Sequence, residues 1–185
     1  MVKNVLFVGK FLKKNVRDII VILMEKKNKI FLLNMLIVTI IFLIDRLCKL
    51  YVINLYKDIS NQQIFLTSFL NVYLIWNEGI AFGLLSFDNE EIYNYITLLI
   101  ILINILIIYM LFKLNDVRKY YFLTILGGSL GNLFDRLIYR AVPDFIDFHI
   151  GNFHWFIFNL ADIFITLGVI CLILDEFFIK NKRND

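Results

Sequence analysis

Asp45, Lys49, Asp135, Arg136 and Asp162 fall inside long apolar runs, where a charge is costly and needs a reason to be there. Asp144 follows close behind Arg136. Asp45 and Lys49 stand one helical turn apart and Asp135 and Arg136 are adjacent, so each set reads as a buried ion pair tying helices together. Asp144 and Asp162 have no cation at helical spacing, and for them a chemical role stands at least level with a structural one. Two carboxylates placed together cannot both ionise easily, so one holds a proton near neutral pH while the other stays charged. Such a pair can hydrolyse an amide. The charged member takes a proton from water as it attacks the carbonyl, and the protonated member hydrogen-bonds the carbonyl oxygen and later protonates the leaving amine. Asn132 stands three and four residues before Asp135 and Arg136, and Asn159 three before Asp162. At helical spacing each amide shares a face with an acid, where it can orient a carboxylate or bind substrate backbone.

Other chemistries fit less well. His149 and His154 lie near Asp144 and Asp147, but their five-residue spacing matches no zinc pattern, and solvated or interfacial histidines are the better reading. No metal and no cofactor is expected. Ser129 sits among glycines with no histidine at a recognisable spacing, which disfavours a serine triad. Cys48 and Cys171 both lie in apolar surroundings and read as small packing residues.

The elements that must position these residues are membrane spans. The chain has 185 residues, is 60% hydrophobic and only 19% charged, and its mean hydropathy is +0.75, values a water-soluble domain of this size rarely reaches. Apolar segments run over about 30–53, 92–112, 120–139 and 155–179, so the expected fold is an all-α polytopic membrane protein with four transmembrane helices. Lys26, Lys27 and Lys29 precede the first span, Lys113, Arg118 and Lys119 join the second to the third, and Lys180, Lys182 and Arg183 follow the fourth, which puts both termini inside. The formal charge of +3 is gathered in these flanks, which argues against nucleic acid as a partner. The stretch from Phe69 to Trp76, ahead of the turn signal Asn77, Glu78, Gly79, predicts a small β-hairpin or sheet on the outer side.

With that topology Asp45 lies roughly 22 Å along the first span, and Asp162 lies about 10 Å below the outer boundary, counting seven residues from Trp155. Asn132, Asp135 and Arg136 close the third span, so the acids gather at one level. Gly127, Gly128 and Gly131 lie one to two turns deeper, where missing side chains permit close helix approach. Residues 1–23 form a basic, amphipathic extension suited to the inner membrane surface, and residues 24–185 form a single domain; a translation start at Met24 is the competing reading of the extension.

These residues resemble the lipoprotein signal peptidase family, also called signal peptidase II, over nearly all of 24–179. Asp45 and Lys49 are similar to the family's Asp-x-x-x-Lys, with Arg46 and Cys48 in variable positions. Asn77, Gly79, Ala81, Phe82 and Gly83 resemble Asn-x-Gly-x-Ala-Phe-Gly. Gly127, Gly128, Gly131, Asn132, Asp135 and Arg136 resemble Gly-Gly-x-x-Gly-Asn-x-x-Asp-Arg. Val142, Asp144 and Phe145 resemble Val-x-Asp-Phe, and Phe158, Asn159, Ala161 and Asp162 resemble Phe-Asn-x-Ala-Asp. The resemblance implies an aspartyl endopeptidase with Asp144 and Asp162 as catalytic dyad. It implies that Asn77, Gly79, Asn132, Arg136 and Asn159 shape the site and contact substrate, leaving Asp45, Lys49 and Asp135 as structural polar residues. The substrate so implied is a diacylglyceryl-modified prolipoprotein, cut before the lipidated cysteine at the outer face of the bacterial inner membrane, by a monomer among membrane lipids. The reading from another class, a small ion translocator, predicts polar residues through the whole membrane thickness, whereas the second span is uncharged and the polar cluster stays on the outer side.

Overall fold

The computed structural model describes residues 2–58, 63–79, 90–151 and 153–184; Ala81, Phe82 and Gly83 of the second motif lie outside them. The chain divides into two compact units, Met1–Leu36 and Ile37–Asp185. The first is helical throughout its described length. The second carries Asp45, Lys49, Asp135, Arg136, Asp144 and Asp162.

In chain order the elements are α1 (Val2–Asp58), β1 (Ile64–Phe65), β2 (Leu70–Asn77), α2 (Glu90–Lys113), α3 (Arg118–Tyr139), β3 (Val142–Ile150), β4 (Phe153–Phe158) and α4 (Leu160–Asn184). The protein is thus mostly helical with one small antiparallel sheet, in the order β1-β2-β3-β4. Two helical stretches, Met24–Lys57 and Glu90–Lys113, are long and apolar enough to cross a membrane.

Helix α2 opens on Glu90 and Glu91 and closes on Lys113, charges that suit the helix dipole. Between them its polarity is inverted relative to a helix in water. Thr97 and Asn104 are buried, while Leu98, Leu99, Leu102 and Leu106 are exposed. Val38 of α1, Ile107 of α2 and Leu123, Ile125 and Leu126 of α3 make the apolar core of the helices. Above that core the helices approach through missing side chains. A Cβ on Gly128 would stand 2.6 Å from the Ala161 carbonyl oxygen of α4, and one on Gly131 would collide with the Asp45 carboxylate.

The sheet comes from β-branched and aromatic runs, Val72 to Trp76 on β2 and Val142 to Phe158 on β3 and β4. The sequence expectation captured β2 only. Strands β3 and β4 pair antiparallel after Gly151, whose φ of 59° is a glycine conformation, so α4 starts at Leu160 and not at Trp155. Asp162 therefore lies in the first turn of its helix, and the count of seven helical residues from Trp155 does not hold.

Two irregularities decide which way the strands aim. Ile146 pairs with Val72 and Asp144 with Ile75, so β2 carries one extra residue; Asp147 pairs with Ile157 and His149 with His154, so β4 carries another. Strand side chains alternate, so Asp144 and Asp147, three residues apart, point to opposite faces. The β2 bulge turns Asn77 to the Asp144 face while Asn71 stays on the Asp147 face. The sheet is fastened to α1 by Val52 and Tyr56, which pack on Phe145, and by the Tyr56 hydroxyl, which donates to the Val72 carbonyl at 2.5 Å.

If close contact of α3 with α4 holds the bundle, Gly128→Ala should cost about 1–3 kcal/mol through overpacking. Gly151→Ala meets open space and bears only the left-handed backbone penalty of roughly 1 kcal/mol. Thermal unfolding in detergent should rank Gly128→Ala as the less stable; equal stabilities would mean the helices are not held at this spacing.

Candidate active site

Two layers of polar residues lie between the helix core and the sheet. The lower is a set of four charges. Lys49 is fully buried, and its ammonium meets the Asp45 Oδ2 and Asp135 Oδ2 at 2.8 Å each. Arg46 Nη1 pairs with the other Asp135 oxygen, and its guanidinium lies 5.1 Å from the centre of the Phe134 ring. Two cations thus balance two buried carboxylates. The pairing expected between Asp135 and Arg136 is not formed, because neighbours on a helix point about 100° apart and Asp135 faces α1. Arg46, assigned by sequence to a variable position, is a full member of the set. Asp45 also accepts the Ala161 backbone N–H at 2.9 Å, which brings α4 to α1.

The upper layer lines a cleft of about 260 Å³ between the helices and the sheet. Around it stand Asn77, Asn132, Arg136, Asp144, Asn159 and Asp162, contributed by β2, α3, β3, the residue before α4, and α4. Lys49 links the layers by donating to Asn132 Oδ1 at 2.8 Å, and Asn132 Nδ2 donates onward to Asp162 Oδ1 at 2.8 Å. Asn159 is not on a helix face with Asp162, as its spacing suggested, but caps α4 from outside. Its Oδ1 accepts the Asp162 N–H at 3.1 Å while Asp162 Oδ2 accepts the Asn159 N–H at 3.1 Å, a reciprocal capping box. The free end of the same amide donates to Asp144 Oδ1 at 2.6 Å, and Asn77 Nδ2 donates to Asp144 Oδ2 at 2.8 Å.

Gly79 donates its N–H to Asn77 Oδ1 at 2.9 Å, and its carbonyl accepts from Arg136 Nη2. Arg136 Nη1 is buried and has no hydrogen-bond partner among the described residues. Tyr93 steadies this corner by donating to the Arg136 carbonyl at 2.8 Å. Of the site residues expected from sequence, Asp45, Lys49 and Asp135 fall in the lower layer, Asn77, Asn132, Arg136, Asp144, Asn159 and Asp162 line the cleft, and Gly79 is bonded to Asn77 and Arg136 beside it. What the sequence reading missed, the Asn159 to Asp162 capping box, was written in its Asn-x-x-Asp spacing.

Asp144 is nearly inaccessible to solvent. Burial first, and the Asp162 carboxylate second, push its carboxyl up to about 6 from an ordinary 3.8, against the opposing pull of the Asn77 and Asn159 amides. Asp144 can thus hold a proton close to neutral pH. A second, apolar groove of about 470 Å³ adjoins the cleft and is lined by Phe148, Phe156, Phe158, Ile163 and Leu167, with Asp162 and Thr166 at its edge.

A family model described as signal peptidase (SPase) II matches residues 37–178. A lipoprotein signal peptidase of Pelagibacter ubique (strain HTCC1062) is 53% identical over 163 residues, which cover 88% of this chain and 98% of that protein. One from Francisella tularensis subsp. novicida (strain U112) is 39% identical over 167 residues, 86% of this chain and 98% of the relative. Two solved structures, both described as bacterial membrane enzymes determined by the in meso method, are also similar. One superposes with a TM-score of 0.61 at 26% identity, covering 82% of this chain and 90% of the other; the second gives 0.58 at 29%, covering 77% and 90%.

Two measurements test this geometry. Lys49→Met leaves Asp45 and Asp135 buried with one cation between them and should cost about 3–5 kcal/mol; an unfolding midpoint close to wild type would remove Lys49 from the centre of the packing. Asp162→Asn deletes the charge that helps to raise Asp144, so the Asp144 carboxyl should titrate below its wild-type midpoint of about 6. Infrared titration of the protonated carboxyl band, assigned with Asp144→Asn, reads that shift, and an unchanged or higher midpoint would mean that the two carboxylates do not interact.

Proposed function

The chain belongs to the signal peptidase II family and is a peptidase, and from that premise we propose that it is an aspartyl endopeptidase that removes the signal peptide from diacylglyceryl-modified prolipoproteins. The observation that carries the mechanism is that Asp144 and Asp162 line one cleft and are bound by amides, with no ion-pair partner for either among the described residues. Carboxylates neutralised by lysine or arginine would be poor bases. Carboxylates held by neutral donors keep their basicity, and repulsion between them retains one proton in the pair.

In the proposed reaction the ionised member draws a proton from a water in the cleft as that water attacks the scissile carbonyl. The protonated member hydrogen-bonds the carbonyl oxygen as charge develops on it and then delivers its proton to the leaving amine. Asn159 fixes the pair geometrically, since its side-chain amide donates to the Asp144 carboxylate and its backbone N–H to the Asp162 carboxylate. Arg136 holds the Gly79 carbonyl with one nitrogen and offers the unpartnered Nη1 to a substrate carbonyl. The apolar groove beside Asp162 suits the hydrocarbon of the substrate, whose acyl chains can stay in the bilayer while the peptide bond enters the cleft.

We extend the same reading to topology. Four spans with both termini inside would place the cleft near the outer face of the bacterial inner membrane. The inverted polarity of α2 and the basic flanks at Lys26, Lys113 and Lys119 support that arrangement. The functional unit is a monomer in this reading, and residues 1–23 are an extension at the inner surface.

The decisive experiment is cleavage of a synthetic diacylglyceryl-cysteine precursor peptide by purified protein in detergent. Wild type should cut immediately before the lipidated cysteine, and Asp144→Asn and Asp162→Asn should each lose about 10³-fold or more in rate while unfolding cooperatively like wild type. Retained cleavage in either folded variant would end the dyad assignment, and no cleavage by folded wild type would end the substrate assignment.

A further inference from the structure

The face of the sheet turned away from Asp144 gathers a second set of ligand-type side chains that the proposed reaction does not use. Asp147 on β3 is buried, and His149 on the same strand is the direct cross-strand partner of His154 on β4. The five-residue step from one histidine to the other, unpromising along the chain, is what places them opposite each other on the paired strands. Their rings stack with centroids 5.1 Å apart. Asn71 on β2 pairs directly with Asp147.

Three contacts set the geometry. His154 Nδ1 lies 2.9 Å from Asp147 Oδ2, Asn71 Nδ2 lies 3.3 Å from the same oxygen, and Asn71 Nδ2 also lies 3.3 Å from His149 Nδ1. One ligand atom each from Asp147, His149 and His154 falls within a 4.8 Å span. Zinc bonds of 2.0–2.1 Å in a tetrahedron require ligand atoms roughly 3.3 Å apart, so the contacts with Asp147 and Asn71 already have the needed edge length. The fourth ligand carries the independent signal. Asn71 is almost wholly buried and its Oδ1 has no hydrogen-bond partner among the described residues. A half-turn of the carboxamide exchanges Nδ2 for Oδ1 and directs that oxygen at Asp147 and His149.

We infer that Asn71, Asp147, His149 and His154 form a structural zinc site that staples β2, β3 and β4 together on the side opposite the cleft. Two imidazole nitrogens, one carboxylate and one amide oxygen are a donor set of borderline softness, which suits Zn²⁺ over Mg²⁺ or Ca²⁺. Gln63 donates to Asp147 Oδ2 at 3.0 Å, a bond that steadies the carboxylate from outside the site. The ion would brace the strand that presents Asp144, and the inference stands whether or not Asp144 is catalytic.

Full-length protein in detergent, stripped with chelator, should bind one Zn²⁺ per chain by calorimetry, and Co²⁺ in its place should give the visible absorption of a tetrahedral centre. His154 is half exposed, so His154→Gln should fold normally, and its affinity for Zn²⁺ should fall at least about 100-fold. Asn71→Asp substitutes a charged oxygen for the neutral one and should tighten binding. Failure of the wild type to bind Zn²⁺, an octahedral Co²⁺ spectrum, or binding undiminished in His154→Gln would each overturn the site.

Discussion

The structure depends on the burial of Lys49. Taking an ammonium out of water costs several kcal/mol even after relaxation, and only close, complete pairing offsets that. The Asp45 and Asp135 carboxylates stand 2.8 Å from the ammonium as ion-pair partners, and Asn132 accepts a hydrogen bond from it at 2.8 Å. Arg46 supplies the second positive charge that two carboxylates require. Helices surrounded by lipid gain no hydrophobic drive from packing on one another, so polar contacts of this kind and close approach over glycine must hold them. Gly131 serves both purposes, because its missing side chain is the space that the Asp45 carboxylate fills.

From that centre a chain of single hydrogen bonds runs to the cleft: Lys49 to Asn132, Asn132 to Asp162, Asp162 to Asn159, and Asn159 to Asp144. Each acid arrives on a different kind of element. Asp162 is fixed by helix capping, which leaves little freedom at the first turn of α4. Asp144 is fixed by strand register, one bulge away from facing the wrong side of the sheet. Asn159 is where the two frameworks meet, and an alanine there would free Asp144 Oδ1 and uncap the Asp162 N–H while the backbone bond to the Asp162 carboxylate stayed.

Much of this was legible in the sequence because the signals are local. Long apolar runs mark α2 and α3 to within two residues, and the Asp45 to Lys49 contact follows from one helical turn. The Phe69 to Trp76 pattern marks β2. The misses are those where local sequence serves two structures. Trp155 to Phe158 is as apolar as the start of a span and was read as one, yet it pairs with β3. Arg46 looked interchangeable because its partner, Asp135, is 89 residues away. Bulges, which decide that Asn77 and not Asn71 reaches Asp144, leave no mark in a single sequence.

The two layers also divide the acids by the chemistry of their partners. Asp45 and Asp135 hold the buried cations Lys49 and Arg46 between them, and their charges are consumed in packing. Asp144 and Asp162 lie one layer away and receive only amide and backbone donors. Neutral donors orient a carboxylate and lower its proton affinity less than a full cation does, so burial and mutual repulsion are left to dominate, as the upward displacement of Asp144 indicates. Had Lys49 been one turn further along α1, it would have reached toward the cleft and neutralised the pair. Asn132, touching Lys49 with its oxygen and Asp162 with its nitrogen, keeps the charge-paired layer apart from the two acids of the cleft while still transmitting position between them.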